Sequence, residues 1–213
     1  MAYTIYRWDD VGAPAGLGGI ANDMTLINVL DACLVNGYGS KAPAGWSKPF
    51  SGSYKAVYQQ GAGTRGFCLR VESTPTWMSY CRGFESMSDV DTGTGPFPTV
   101  AQLSNPVIAR SSNNMPDPRP WLIAADAKRF FLWANINGSL AQGLASISYC
   151  PCFFFGDLES PNSGDAFNTF ISCGNNNPGN TYFCYAQPNS PGTEYCARAF
   201  KETLINTNHT DCA

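Results

Sequence analysis

One histidine, His209, serves a chain of 213 residues, and charged side chains make up only 14% of it. An average soluble domain carries about 25%. The single histidine weighs against hydrolases that use a Ser-His-Asp or Cys-His arrangement, since any such triad would have to recruit His209 from the run NHTDCA. Chain termini rarely supply the rigid surround that a nucleophile needs. Basic clusters are scarce as well. The 13 Lys and Arg are scattered, the net charge is −3 and the pI is about 5.0. That pattern offers no electrostatic footprint for nucleic acid or for anionic lipid. No apolar run is long enough to cross a bilayer. The opening stretch MAYTIYRWDDVG lacks the basic start and apolar run of a signal peptide. The expectation is a protein made in a cytoplasm, with neither nucleic acid nor membrane as its partner.

Cysteine, by contrast, is plentiful: Cys33, Cys68, Cys81, Cys150, Cys152, Cys173, Cys184, Cys196 and Cys212. Cytosolic thiols normally stay reduced, and an odd count leaves at least one without an internal partner. A protein made inside a cell and released into an oxidising medium as part of an assembly reconciles the two. The densest stretch is SYCPCFFFGD. Alternation in a strand puts Cys150, Cys152 and Phe154 on one face and Phe153 and Phe155 on the other. Same-face neighbours lie nearly 7 Å apart, too far for a comfortable bond between the two cysteines. Zinc would want two more ligands in a compact arrangement, and thioredoxin-like chemistry wants C-x-x-C opening a helix. Neither pattern is present. Pro151 lacks a donor and suggests a strand at a sheet edge. The stretch reads as thiol-bearing structure whose partners come from other segments or other chains.

Elements follow from periodicity. Tyr3 to Trp8 reads as a short strand. NDMTLINVLDACLVNGYG has helical spacing, with Met24, Ile27, Leu30 and Leu34 on one face and Val29 and Cys33 beside them. Asn22 or Asp23 caps its start, and Gly37 sits where a left-handed C-terminal cap belongs. GWSKPF is expected to be a turn with an aromatic plug, and YKAVYQQ, GFCLRVE and WMSYCRGF to be short strands. SDVDTGTGPFPTVAQLSNP is expected as an ordered loop. RPWLIAAD and KRFFLWANI form the clearest hairpin, YCPCFFFGD adds a strand, and TYFCYA and EYCARAF add short ones in a loop-rich, Cys-rich tail. The fold class expected is α+β and β-rich: an antiparallel sheet or sandwich with one N-terminal amphipathic helix. Residues 1–170 form the main domain, and 171–213 an extension that does not stand alone. Disulfides are the natural way to fix so loop-rich a tail.

Several motifs admit a functional and a blander reading. GLGGIA, at Gly16–Ala21, matches a dinucleotide fingerprint, but the strand is too far from the glycines and no buried strand follows the helix. GAGTRG, at Gly61–Gly66, precedes a strand-like run and reads as a hairpin loop. Glu85, Asp89 and Asp91 resemble a calcium loop only loosely, lacking regular ligand spacing. Asp89, Asp91 and Thr92 are better read as stiffening a turn through neighbouring N–H groups. Asp126, Asp157, Glu159 and Asp165 could pair as glycosidase carboxylates, yet no spacing singles them out. No catalytic residue, metal or cofactor is assigned. Trp46, Phe50, Trp121, Trp133, Phe153, Phe154 and Phe155 are candidates for an interface, with the core as their commoner destination.

Taken in order, LDACLVNGYGSKAPAGWSKPFSGSYKAVYQQ, GFCLRVE, GFESMSDVDTGTGPFP, RPWLIAADAKRFFLW and FFFGDLESPNSGDAF resemble a family of tailed-bacteriophage virion proteins. The resemblance covers roughly residues 25–170. It implies a structural role in a particle and brings no catalytic residues with it. Frequent cysteines in the strands and tail depart from that pattern, which suggests disulfide reinforcement of this particular particle. The implied function is a structural component of a tailed-phage virion, as capsid decoration or a neck or tail subunit. Its partners would be other virion proteins, the major capsid or tail and neck proteins among them, and further copies of itself. Its location would be the virion, released on lysis. The alternative is a host-surface or glycan-binding module; a carboxylate-pair hydrolase ranks third.

Overall fold

The computed structural model describes residues 3–17, 25–73, 78–97, 99–101, 107–110, 118–135, 140–141, 152–158, 168–173, 195–199 and 204–208. These form two antiparallel sheets and one short helix. The seven-stranded sheet runs in the order β1 (Thr4–Arg7), β8 (Trp121–Ala125), β9 (Arg129–Ala134), β10 (Cys152–Leu158), β11 (Asn168–Cys173), β12 (Tyr195–Ala199), β13 (Leu204–Asn208). The second sheet orders β2 (Ser47–Gly52), β3 (Lys55–Gln59), β4 (Cys68–Ser73), β5 (Met78–Met87) and β6 (Gly93–Phe97), with β7 (Val107–Arg110) also paired to β5. Strand alternation decides which side chains turn inward. Tyr6, Trp121, Ile123, Ala125, Phe130, Leu132, Phe153, Phe155 and Ile171 of the first sheet share one buried core with Ala56, Tyr58, Leu69, Val71, Cys81 and Phe97 of the second.

The helix adds Leu26, Ile27, Val29, Leu30, Cys33 and Leu34 to that core. Its first half, α1 (Thr25–Leu30), is α-helical, and the wider π-helical winding continues over Asp31–Asn36. Asn22, Asp23 and Met24 lie outside the described residues. Gly37 has the positive φ expected of it, 73°, but its ψ of 171° is extended, so the left-handed cap does not form. The terminal carbonyls are met by a returning loop instead. Ala44 N–H donates to the Cys33 carbonyl at 3.0 Å, and Trp46 N–H to that of Leu34 at 3.0 Å. Such groups must find partners when buried.

Three local expectations change. Ser47–Gly52 is a strand with a register irregularity between Ser47 and Phe50, and only Trp46 behaves as a plug. The segment expected as a loop after Ser88 contains β6, whose Gly-rich sequence has little β-propensity; pairing with β5 overrides it. Third, β10 is no edge strand: it pairs with β9 on one side and β11 on the other. Pro151 itself lies outside the described residues. The hairpin of β8 and β9 forms as expected, and EYCARAF contains β12. Strands β12 and β13 extend the same sheet as β8–β11, and β13 has no counterpart in the sequence reading. TYFCYA lies outside the described residues.

Candidate functional site

The densest buried polar cluster sits where the two sheets close on each other. Gln60 follows β3, Asp157 lies in β10 and Thr169 in β11, and they are 5%, 2% and 0% exposed. The Gln60 amide donates from Nε2 to Asp157 Oδ1 at 2.9 Å and to the Lys128 carbonyl at 2.6 Å. Thr169 Oγ1 donates to the same Oδ1 at 2.5 Å. The Asp157 N–H donates to the Lys128 carbonyl at 3.2 Å. Gln60 Oε1 in turn accepts from Phe67 N–H at 3.1 Å. A buried amide with both its N–H donors and its oxygen engaged locks three chain segments at once. Asp157 Oδ2 is buried and has no hydrogen-bond partner among the described residues.

Asp126 organises the adjoining β8–β9 turn. Its Oδ1 accepts from the N–H groups of Lys128 at 2.8 Å and Arg129 at 3.0 Å. This is the local bond by which aspartate stiffens turns. Its carbonyl accepts from Trp46 Nε1 at 2.7 Å, 80 residues away in sequence. The Trp46 ring lies edge-on to Phe130 at 5.6 Å and tilted against Phe155 at 5.9 Å, and Phe155 stacks on Phe97 at 6.0 Å. Aromatic and polar contacts therefore bind the two sheets at the same end. Two glycines make the approach possible. A Cβ on Gly61 would strike the Gly45 carbonyl, and one on Gly156, at φ 141°, would strike Arg129 and the Lys128 carbonyl.

A second cluster ties the helix to the other sheet. Tyr58 OH lies 2.8 Å from Asp31 Oδ1 and 3.0 Å from the Ile27 carbonyl, and Lys48 Nζ donates to Asp31 Oδ2 at 2.6 Å. Burial, with Asp31 beside it, pushes the Tyr58 hydroxyl well above its usual range. A third lies on the surface: Arg70 and Lys55 both bind Asp91 Oδ1, at 2.6 and 2.8 Å, and Arg70 Nε donates to the Val90 carbonyl. Hydrogen bonds from Lys55 and Arg70 hold the Asp91 carboxyl below its usual value. Asp91 N–H bonds Asp89 Oδ1 at 3.2 Å, so the segment expected as a stiffened turn is one, and its key carboxylate is engaged by cations of the protein.

Other sequence candidates fall as follows. Leu17 pairs with Arg119 in an isolated bridge and Gly16 packs against the Arg119 backbone, while residues 18–21 of the GLGGIA run lie outside the described residues. GAGTRG is the β3–β4 hairpin loop, with Thr64 Oγ1 donating to the Gly61 carbonyl at 2.7 Å. Cys33, Cys68 and Cys81 are buried and take no part in a disulfide. Burial raises the Cys33 thiol far above its usual range. Cys152, Cys173 and Cys196 have strand positions; Cys173 faces Tyr195 and Cys196 faces Ser172, so those two are not register partners. Cys150, Cys184, Cys212, Glu159, Asp165 and His209 lie outside the described residues. Trp46, Trp121, Phe153 and Phe155 are core, closed to a partner's surface. Phe154 is buried on the opposite face against Phe131, at 4.6 Å, and Phe50 and Trp133 are half-buried. Sequence reasoning named Asp126 and Asp157 without singling them out, and it missed Gln60 and Thr169. Their spacing carries no periodic signal, since the fold alone brings them together. Among the described residues no group of three or more His, Cys, Asp or Glu stands in metal-binding proximity. No family model, no curated protein and no solved structure matches the chain.

Proposed function

We propose that the chain is a structural subunit of a tailed-phage virion, acting by shape as a capsid decoration protein or as a neck or tail component. The observation that carries this reading is where the resembling stretches fall in the fold. AGW, YKAVYQQ, RPWLIAADAKRFFLW and FFFGD supply Trp46, Gln60, Asp126, Phe130, Phe155 and Asp157. These residues form the junction that holds the two sheets together. A sequence pattern concentrated on internal fastening fits a subunit whose product is a fixed outline. Its partners in this reading are other virion proteins and further copies of itself. Disulfide reinforcement after lysis would fall to Cys150, Cys152, Cys173, Cys184, Cys196 and Cys212, since the other three thiols are buried in the chain.

Density-gradient sedimentation of native-source material, with fractions run on non-reducing gels, tests this. Co-sedimentation with large particles is the expected result, and thiol-sensitive multimers the expected form. A free monomer at the top of the gradient would sink the virion reading. One observation favours a second reading, a glycan-binding surface. On the face away from the core, Phe131 and Trp133 stack at 5.6 Å, and Arg129 lies 5.7 Å over the ring of Tyr3, which is 40% exposed. Saturable binding of the isolated protein to host cells, lost on Tyr3→Ala, would favour that alternative.

A further inference from the structure

Strand β1 ends the seven-stranded sheet among the described strands, and an edge strand presents backbone groups ready to pair with another chain. The register with β8 and the bond from Trp8 N–H to the Trp121 carbonyl at 3.2 Å fix the direction of those groups. In an antiparallel ladder, alternate residues bond inward; Trp8 and Tyr6 do so here, and Ile5 and Arg7 turn theirs outward. Three of these outward groups are occupied, all by side chains or backbone of this chain. Lys41 Nζ donates to the Ile5 carbonyl at 2.7 Å. Arg7 N–H donates to Asp10 Oδ2 at 2.8 Å and lies 3.1 Å from Tyr38 OH. The Arg7 carbonyl accepts from Asp10 N–H at 3.3 Å.

The residues that do this are held rigidly. Tyr38 and Lys41 bond each other through both backbone pairs, at 3.1 and 2.8 Å, closing a tight turn over Gly39 and Ser40. Tyr38 OH donates to Asp10 Oδ2 at 2.8 Å, and Lys41 Nζ stands 3.5 Å from the same oxygen. Tyr6 OH donates to the Ala42 carbonyl at 2.7 Å, anchoring the loop to the strand it covers. Gly39 packs so closely on the Val11 carbonyl that no side chain fits there. Meanwhile Tyr3 and Ile5, both good strand formers, are 40% and 42% exposed beside this edge.

We propose that Asp10, Tyr38 and Lys41 form an edge cap that keeps β1 from adding the β1 strand of a second copy. A second copy is the occupant because antiparallel pairing of a strand with itself closes under two-fold symmetry and matches donor to acceptor without a further sequence. Uncapped, the Ile5 and Arg7 groups of one copy meet those of the other, and the exposed Tyr3 and Ile5 side chains pair across the join.

The test uses the full chain. Lys41→Ala alone, and Lys41→Ala with Asp10→Ala, which together free the Ile5 carbonyl and remove the carboxylate that accepts from the Arg7 N–H, are compared with the parent by sedimentation velocity over a wide concentration range, with far-UV circular dichroism as the check on folding. The double variant is expected to move toward twice the parent's mass as concentration rises, and amide exchange at Ile5 and Arg7 to slow in the associated form. Adding Ile5→Lys, a charge on the edge, is expected to restore the parent's mass. A folded double variant that keeps the parent's mass throughout would overturn the proposal, as would association that survives Ile5→Lys. If the double variant loses its fold, Lys41→Ala alone decides, since it removes only a half-exposed ammonium group.

Discussion

At Asp157 one carboxyl oxygen accepts two hydrogen bonds while the other has no partner among the described residues. Asp157→Ala would leave one Gln60 amide hydrogen and the Thr169 hydroxyl without their acceptor in a buried junction, so a loss of about 2–4 kcal/mol is expected in urea unfolding. Asp157→Asn keeps the accepting oxygen and should lose less than half as much; equal losses would show that hydrogen bonding is not what Asp157 provides. Asp10 makes a different prediction. Burial alone would raise its carboxyl, but the Tyr38 hydroxyl, the Arg7 N–H and Lys41 outweigh burial and hold it below the ordinary value. A carboxyl depressed by folding contributes stability above its unfolded value, near about 4, and that contribution disappears as pH falls through the lower folded value. Exchange at the Arg7 amide should therefore speed up, relative to the intrinsic rate, only in that acidic window, and Asp10→Asn should abolish the step.

Among the elements, the β2–β3 hairpin turn holds Tyr54 at φ 59°, the only non-glycine residue with positive φ among those described. An aromatic residue is strained there, and Tyr54→Gly should raise stability by about 1 kcal/mol, read from the midpoint of denaturant unfolding. Gly156→Ala should do the reverse, by about 2–4 kcal/mol, because its Cβ meets the backbone of β9. The period-two runs around Leu69, Ile123 and Phe130 made their strands legible, since burial alternates along them from Leu69 onward in β4 and throughout β8 and β9. β6 was illegible because its glycines and proline have no intrinsic preference for extension, and neighbouring β5 imposes it. The π-helical half of the helix was hidden for a related reason. The apolar spacing of Ile27, Leu30 and Leu34 suits an α-helix, and the wider winding comes with Asp31 held by Tyr58 and Lys48. Of the junction, the aspartates were visible and their partners were not, because side-chain pairing across 97 residues leaves no local trace.

For the molecule as a whole, three of its thiols belong to the interior. Under native conditions Cys33, Cys68 and Cys81 should resist a bulky alkylating reagent, and all three should react in denaturant, as read by peptide mass mapping. Rapid native labelling of Cys33 or Cys81 would mean that the core opens far more often than this packing allows. The pairing of β1 also bears on how the chain is made. Arg7 faces Leu122, so more than a hundred residues must leave the ribosome before the strand meets its neighbour. At roughly 5–20 residues per second that delay is on the order of ten seconds. The other sheet, whose strands all lie between Ser47 and Arg110, is fully translated while β1 still waits. The nascent chain thus carries a strand with no ladder to join, and Asp10, then the Tyr38–Lys41 turn, can cover its outward Arg7 and Ile5 groups in the meantime.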